Sequence, residues 1–321
     1  MNELEWLAAR RPDTEPPDEL ATARARAALL EHTVAAAYRP TPQKRARPRV
    51  AFMAAAAGLA AALVVAVGAL PSGEGPRAPL ATAPQAQAAI VTLSQRLRHA
   101  PAPPGDATLV HRSHHLRNGH DFGGVDLYLD DGRYFYGATD AELRADAASG
   151  QDMSEGDLER EIAAALKANR DGGQAARTQM IDATYADGRP PTRAEVARAK
   201  RVAQEKARAA GTQLKPVSQR AMDDNRLWIG AMDALIAGAG RADVRAGVMN
   251  LLSTVATVHS ERAGAAISIT NTGFSDDYRE TLIVDAGSGV IQKMVGGTAG
   301  KAPDVTVDYD VQRVTAADIL H

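Results

Sequence analysis

The alternation of apolar and polar positions changes period several times along the chain, and each change predicts an element. "AQAAIVTLSQRLRHA" places Ile90, Leu93 and Leu97 one helical turn apart and ends at "PAPPGD". "VDLYLDDGRYFYG" holds two alternating runs that meet at Asp131 and Gly132, a pair suited to a two-residue hairpin turn. That turn predicts Asp130 opposite Arg133, Leu129 opposite Tyr134 and Leu127 opposite Tyr136. "MSEGDLEREIAAALKANRDGG" has Leu158, Ile162, Ala165 and Leu166 on one helical stripe. "TRAEVARAKRVAQEKARAAG" opens with a capping box in Thr192 and Glu195 but is otherwise polar or alanine. "NRLWIGAMDALIAGAG" and "ADVRAGVMNLLSTVATV" are buried helices, the second through Val244, Val248, Leu251, Leu252 and Val255. The period then returns to two in "GAAISITNT", in "ETLIVDAGSGVIQKMV" with its loop at Gly287 and Gly289, and in the final "PDVTVDYDVQRV". Strands, then helices, then strands predict an α+β domain with an antiparallel, curved sheet covered on one face by helices.

One earlier run has no period at all. Residues 50 to 70 carry neither charge nor proline and are apolar around the whole circumference. At 1.5 Å per residue they suffice to cross a hydrocarbon core of about 30 Å. Lys44, Arg45, Arg47 and Arg49 crowd its amino side, so the positive-inside rule places residues 1–49 in the cytoplasm and the remainder outside the cell membrane. Ala81 and Ala83 imitate a cleavage site, but secretory apolar regions are shorter and lie nearer the amino terminus, so an uncleaved single-pass signal anchor is expected. Upstream, Leu20, Ala23, Ala27, Leu30 and Val34 form a narrow stripe on a predicted helix over 18–38, too small to fold alone. The predicted organisation is a cytoplasmic segment at 1–49, a span at 50–70, a Pro/Gly/Ala-rich linker at 71–85 and an extracytoplasmic domain at 86–321, with a polar helical insertion around 170–226.

Composition narrows the chemistry. The net charge is −2, which gives no field to attract nucleic acid, and none is expected as a partner. The absence of cysteine removes thiolate metal sites, cysteine nucleophiles and disulfides together. No cofactor is expected. Four histidines, His111, His114, His115 and His120, fall within "HRSHHLRNGH". In a strand His111 and His115 share a face that His114 does not, and no HExxH pattern accompanies them. The expectation is a solvated edge strand, with His111, His115 and His120 as the residues a metal would use if one were bound. Asp126, Asp130 and Asp131 are assigned to the hairpin turn, and Glu155, Asp157, Glu159 and Glu161 to the start and polar face of a helix, where acids serve structure. The glycine pairs of "DAGSGV" and "IAGAGRA" complete no phosphate loop, and there is no GxSxG elbow. The basic run over 192–220 is expected to be a solvated helix.

Taken with "PDELATARARAALLEH", the Arg-rich border and the pair "DALIAGAGRADVRAGVMNLLSTVATVHS" and "ETLIVDAGSGVIQKMV", the layout resembles a group of actinobacterial single-pass membrane proteins of uncharacterised function. It is also similar to membrane-bound anti-sigma factors, although His32 stands alone where many of those carry a zinc motif with cysteines. The resemblance implies partners in the bilayer, an envelope ligand or protein, and a cytoplasmic protein for the helix at 18–38. The expected function is membrane-anchored binding or sensing at the cell envelope without catalysis. A transmembrane regulator of anti-sigma type is the alternative, and a metal-dependent envelope enzyme using the His111–His120 cluster is the second.

Overall fold

A computed structural model describes residues 87–320 except 151, 155, 186–187, 210–217 and 274–276. The expected helix at 18–38, span at 50–70 and linker at 71–85 lie outside the described residues. Among the described residues no helix is long and apolar enough to cross a membrane.

Eight strands form one antiparallel sheet: β1 (Ala107–Leu116), β2 (Asp121–Leu129), β3 (Tyr134–Gly137), β4 (Val258–Ala263), β5 (Ala266–Asn271), β6 (Tyr278–Asp285), β7 (Ile291–Thr298) and β8 (Val305–Val314). Their spatial order is β3-β2-β1-β8-β7-β6-β5-β4. Two meanders, β1–β3 and β4–β8, are therefore joined only where β1 pairs β8, from Ala107 opposite Val314 to Leu116 opposite Val305. The helices are α1 (Ala88–Leu97), α2 (Asp140–Ala148), α3 (Asp157–Asp171), α4 (Gly173–Ala183), α5 (Arg193–Ala209), α6 (Gln219–Ala237), α7 (Ala242–Leu252) and α8 (Ala316–Leu320). The expected α+β class and antiparallel sheet are present.

Most helices pack on one sheet face. Ile90, Leu93 and Leu97 of α1, Leu227, Trp228 and Leu235 of α6, and Val244, Val248, Leu251 and Leu252 of α7 bury themselves against Ile267, Ile269, Leu282, Val284 and Ile291. Alanine lets these helices approach closely. At Gly247 of α7 an added Cβ would sit 1.7 Å from the carbonyl oxygen of Ala165 on α3, so only glycine fits that crossing. The stripe that α3 buries is Glu161, Ala164, Ala165 and Ala168, and the larger Leu158, Ile162 and Leu166 are only half-buried. Of the expected stripe Ala165 is fully buried while Ile162 and Leu166 pack at the margin of the core, and α3 turns its small side toward α7, where Gly247 lies against the Ala165 carbonyl. Helix α4 buries Ala176, Met180 and Ala183 in the same core, and α5 follows it. There the capping box forms, with Thr192 N donating to Glu195 Oε2 at 2.6 Å and Glu195 N to Thr192 Oγ1 at 3.3 Å.

Helices do not keep to one face alone. On the opposite side of β1–β3, Ala107, Leu109, Val125, Leu127, Leu129 and Phe135 form a second core with Leu143 of α2 and Ala316 of α8.

This second core explains an error of one residue in the hairpin. The register pairs Leu127 with Phe135 and Tyr128 with Tyr134, not Leu127 with Tyr136. The loop has three residues, 130–132, and Gly132 takes φ +93°, the left-handed position such loops require. Asp131 turns back to bond Arg133 N at 3.1 Å, and Asp130 reaches Arg313 on β8 instead of Arg133. A slip of one residue exchanges the faces of a strand, and here it sends Tyr134 and Tyr136 to the side of the large helices.

Leu251→Ala is expected to cost about 2–5 kcal/mol in chemical denaturation, as a large-to-small change in a fully buried position. Arg208→Ala on the exposed surface of α5 should cost less than about 0.5 kcal/mol.

Candidate functional site

Alternation along β1 puts Thr108, Val110, Arg112 and His114 on the face of the large helices, and the pairings carry that face across the sheet. Six of the seven described strand aromatics stand on it: Phe122, Tyr128, Tyr134, Tyr136, Tyr278 and Tyr309, with only Phe135 opposite. Apart from Trp228, the buried apolar side chains of this core are aliphatic or methionine, so aromatic and ionisable side chains concentrate around the seam of the two meanders and β6.

At the centre lies an ion pair. Asp126 on β2 is fully buried, and Arg112 on β1 is 23% exposed. The guanidinium grips the carboxylate with two bonds, Nε to Oδ2 at 2.5 Å and Nη2 to Oδ1 at 2.9 Å, and the Tyr134 hydroxyl donates to Oδ1. Burial opposes the charge on Arg112, but Asp126 more than offsets it and holds the guanidinium above its ordinary pKa. Arg112 also lies over the Tyr136 ring at 5.9 Å. That ring covers Gly124, where a Cβ would fall 2.6 Å from Tyr136 Cε2, so the tyrosine lies against the sheet because no side chain is beneath it.

From the other meander come Tyr309 on β8, opposite Arg112 in the register, and Glu280 on β6. Burial pushes the Tyr309 phenol up, Arg112 draws it back, and Asp233 of α6, Asp126 and Glu280 push it further up. Glu280 is itself raised by burial and accepts Trp228 Nε1 of α6 at 2.6 Å. Tyr278 is lifted to about 12, first by burial and then by Glu280 and Asp304. Neutral tyrosines, a fixed ion pair and half-exposed rings are suited to holding a ligand by stacking and hydrogen bonding.

The histidines separate. The run is not an edge strand: β1 lies between β2 and β8, because a carboxyl-terminal strand closes on it. His111 Nε2 meets Asp140 Oδ1 at 3.1 Å, while His115 bridges Asp121 of β2 at 3.2 Å and Asp308 of β8 at 3.5 Å. His120 is exposed just before β2. Among the described residues no group of three or more His, Asp or Glu is placed to hold a metal ion. His114 faces the helix side, stacked on Phe122 at 4.5 Å, and is lowered to about 4 by burial first, then by Arg112 and His115.

Of the acids, Asp126 is in mid-strand and not at the turn. Glu161 is buried rather than on a polar face, because α3 is rotated from its expected orientation. Asp157 and Glu159 do occupy the first turn of α3. Arg112, Tyr309, Trp228 and Glu280 were not legible as a site, since only the β1–β8 pairing brings their elements together. Comparison with known protein families, with curated proteins and with solved structures finds no match.

Two outcomes follow. Asp126→Leu should cost about 3 kcal/mol, the low end for breaking a buried pair because Arg112 keeps some solvent, and Arg112→Met in the same chain should restore most of it. Thermal unfolding of the three variants reads this. His114 is neutral when folded and titrates near 6.5 when unfolded, so its contribution is present above pH 6.5 and is lost as pH falls toward 4. Lowering the pH from 7 to 5 should therefore reduce Tm more in wild type than in His114→Leu, by about 2–4 °C for a difference on the order of 1 kcal/mol. Glu280, raised by burial, acts in the opposite direction in both proteins.

Proposed function

We propose that the protein is a single-pass, membrane-anchored binding or sensing protein of the cell envelope, with residues 1–49 cytoplasmic and the α+β domain outside. The observation that carries the reading is the uncharged run at 50–70 with Lys44, Arg45, Arg47 and Arg49 on its amino side. The domain that follows has its own aliphatic core and needs no disulfide, as a chain without cysteine requires. Its ligand-facing surface is the helix-side face of β1, β2, β3 and β8, where Tyr136, Tyr128, Phe122 and Tyr309 remain half-buried around Arg112. Leu127 and Ile269, by contrast, are completely covered.

The partners of this reading are the bilayer, an envelope ligand or protein, and a cytoplasmic protein held by the helix at 18–38. The metal-enzyme alternative loses its motive, since His111 and His115 take separate carboxylates and His120 neither.

Protease added outside intact, wall-stripped cells is expected to digest the region after Ala81 and spare an epitope fused at residue 1. Protection of the carboxyl-terminal domain with loss of the epitope would reverse the orientation. Protection of both would remove the extracytoplasmic assignment.

A further inference from the structure

A second feature lies far from the aromatic face, at the β4 edge of the sheet. Here α1 crosses β4 and β5 and leaves a groove of about 280 Å³. Leu93, Ile267 and Ala286, each no more than 2% exposed, make an apolar floor. Ala88 and Ala89 form a low wall on the α1 side. At about 30 Å³ for a water-sized group, the space holds roughly nine such groups in a row, just below the usual range for small-molecule sites.

Two cations, Arg96 and Arg262, also line this groove. Arg262 stands opposite Ile267 in the β4–β5 register and so faces the helix side. Arg96 Nη1 donates to the Ala286 carbonyl at 2.8 Å and Arg262 Nε to the Gly264 carbonyl at 3.3 Å. Arg144 and Arg245 bond backbone carbonyls, whereas Arg112, Arg177 and Arg313 meet carboxylates. Among the described residues neither Arg96 nor Arg262 does, and each has guanidinium nitrogens left over for an anion. An apolar floor bordered by two uncompensated guanidinium groups is complementary to a molecule with one anionic end and one alkyl chain.

We propose that the groove between α1 and the β4–β5 edge binds a free single-chain anionic amphiphile, a carboxylate or phosphate with an alkyl chain of about ten carbons. Its head pairs with Arg96 and Arg262, and its chain lies over Leu93, Ile267 and Ala286. A groove of about 280 Å³ matches one alkyl chain of about ten carbons. An added peptide strand is the other occupant such an edge admits, but β4 exposes His259, Glu261 and Arg262, and charged edges discourage pairing. The inference does not depend on which side of a membrane the domain occupies.

The test uses the full chain in phosphatidylcholine nanodiscs and a ten-carbon fatty acid with a diazirine at its far end, crosslinked by light and mapped by mass spectrometry. Labels are expected within 88–97 and 262–267, competed by decanoate and not by decyltrimethylammonium. Arg96→Gln with Arg262→Gln should reduce labelling at least tenfold. Thr92→Trp, which fills the groove from an exposed position, should abolish it, with the Tm of both variants unchanged. Labelling elsewhere, equal competition by the quaternary amine, or labelling indifferent to the arginines would overturn the proposal. Displacement by phosphatidylglycerol in the disc would assign the groove to membrane lipid instead. Displacement by an acidic hexapeptide where decanoate fails would assign it to a strand partner.

Discussion

Everything in the domain hangs on the pairing of β1 with β8. Each strand belongs to a meander that is local in sequence, but the ladder from Ala107–Val314 to Leu116–Val305 joins residues 207 to 189 positions apart. Without it the sheet divides into β1–β3 and β4–β8, each left with its own core. Closing so long a loop is entropically unfavourable, and what offsets it is burial on both sides of the seam: Val110 and Val307 toward the large helices, Ala107 and Leu109 toward α2 and α8. Ion pairs follow the same route. Arg313 of β8 holds Asp130 beyond β2, and His115 of β1 touches Asp308 of β8, which also takes Lys293 of β7 at 2.8 Å.

The seam also assembles the candidate site. Arg112 and Asp126 come from the first meander, Tyr309 and Glu280 from the second, and Asp233 and Trp228 from α6, whose Trp228 bonds Glu280. A buried ion pair is weak evidence of stability, since apolar residues of similar volume often serve as well. Its retention beneath half-exposed tyrosines is better understood as orientation. Asp126 fixes the guanidinium, and the guanidinium lies over the Tyr136 ring that covers Gly124.

Much of the fold was legible. The spacing of Ile90, Leu93 and Leu97, the run from Val244 to Leu252, the Thr192–Glu195 box and the alternation around Ile267 and Ile269 all report local periodicity, and the structure places them as expected, although α7 ends before the buried Val255 that the same spacing assigns to it. What was not legible is non-local. The hairpin register slipped by one because "DDG" fits both a two- and a three-residue loop, and the choice rests on Leu127 and Phe135 meeting Leu143 of a later helix. The histidine run reads as an edge from local pattern because its second neighbour, β8, comes almost 200 residues later in the chain. Asp126 reads as a turn acid because nothing adjacent in sequence announces Arg112 as its partner fourteen residues earlier.

Native-state hydrogen exchange on the full chain tests the central claim most directly. If the β1–β8 ladder makes one cooperative unit of the two meanders, the amides of β1 and β8 share the highest protection, and β2, β7, α6 and α7 exchange with the same free energy under conditions that favour global opening. If β1–β3 and β4–β8 instead exchange with separate free energies and separate denaturant dependence, the seam is not what holds the domain together, and the site it assembles loses its foundation.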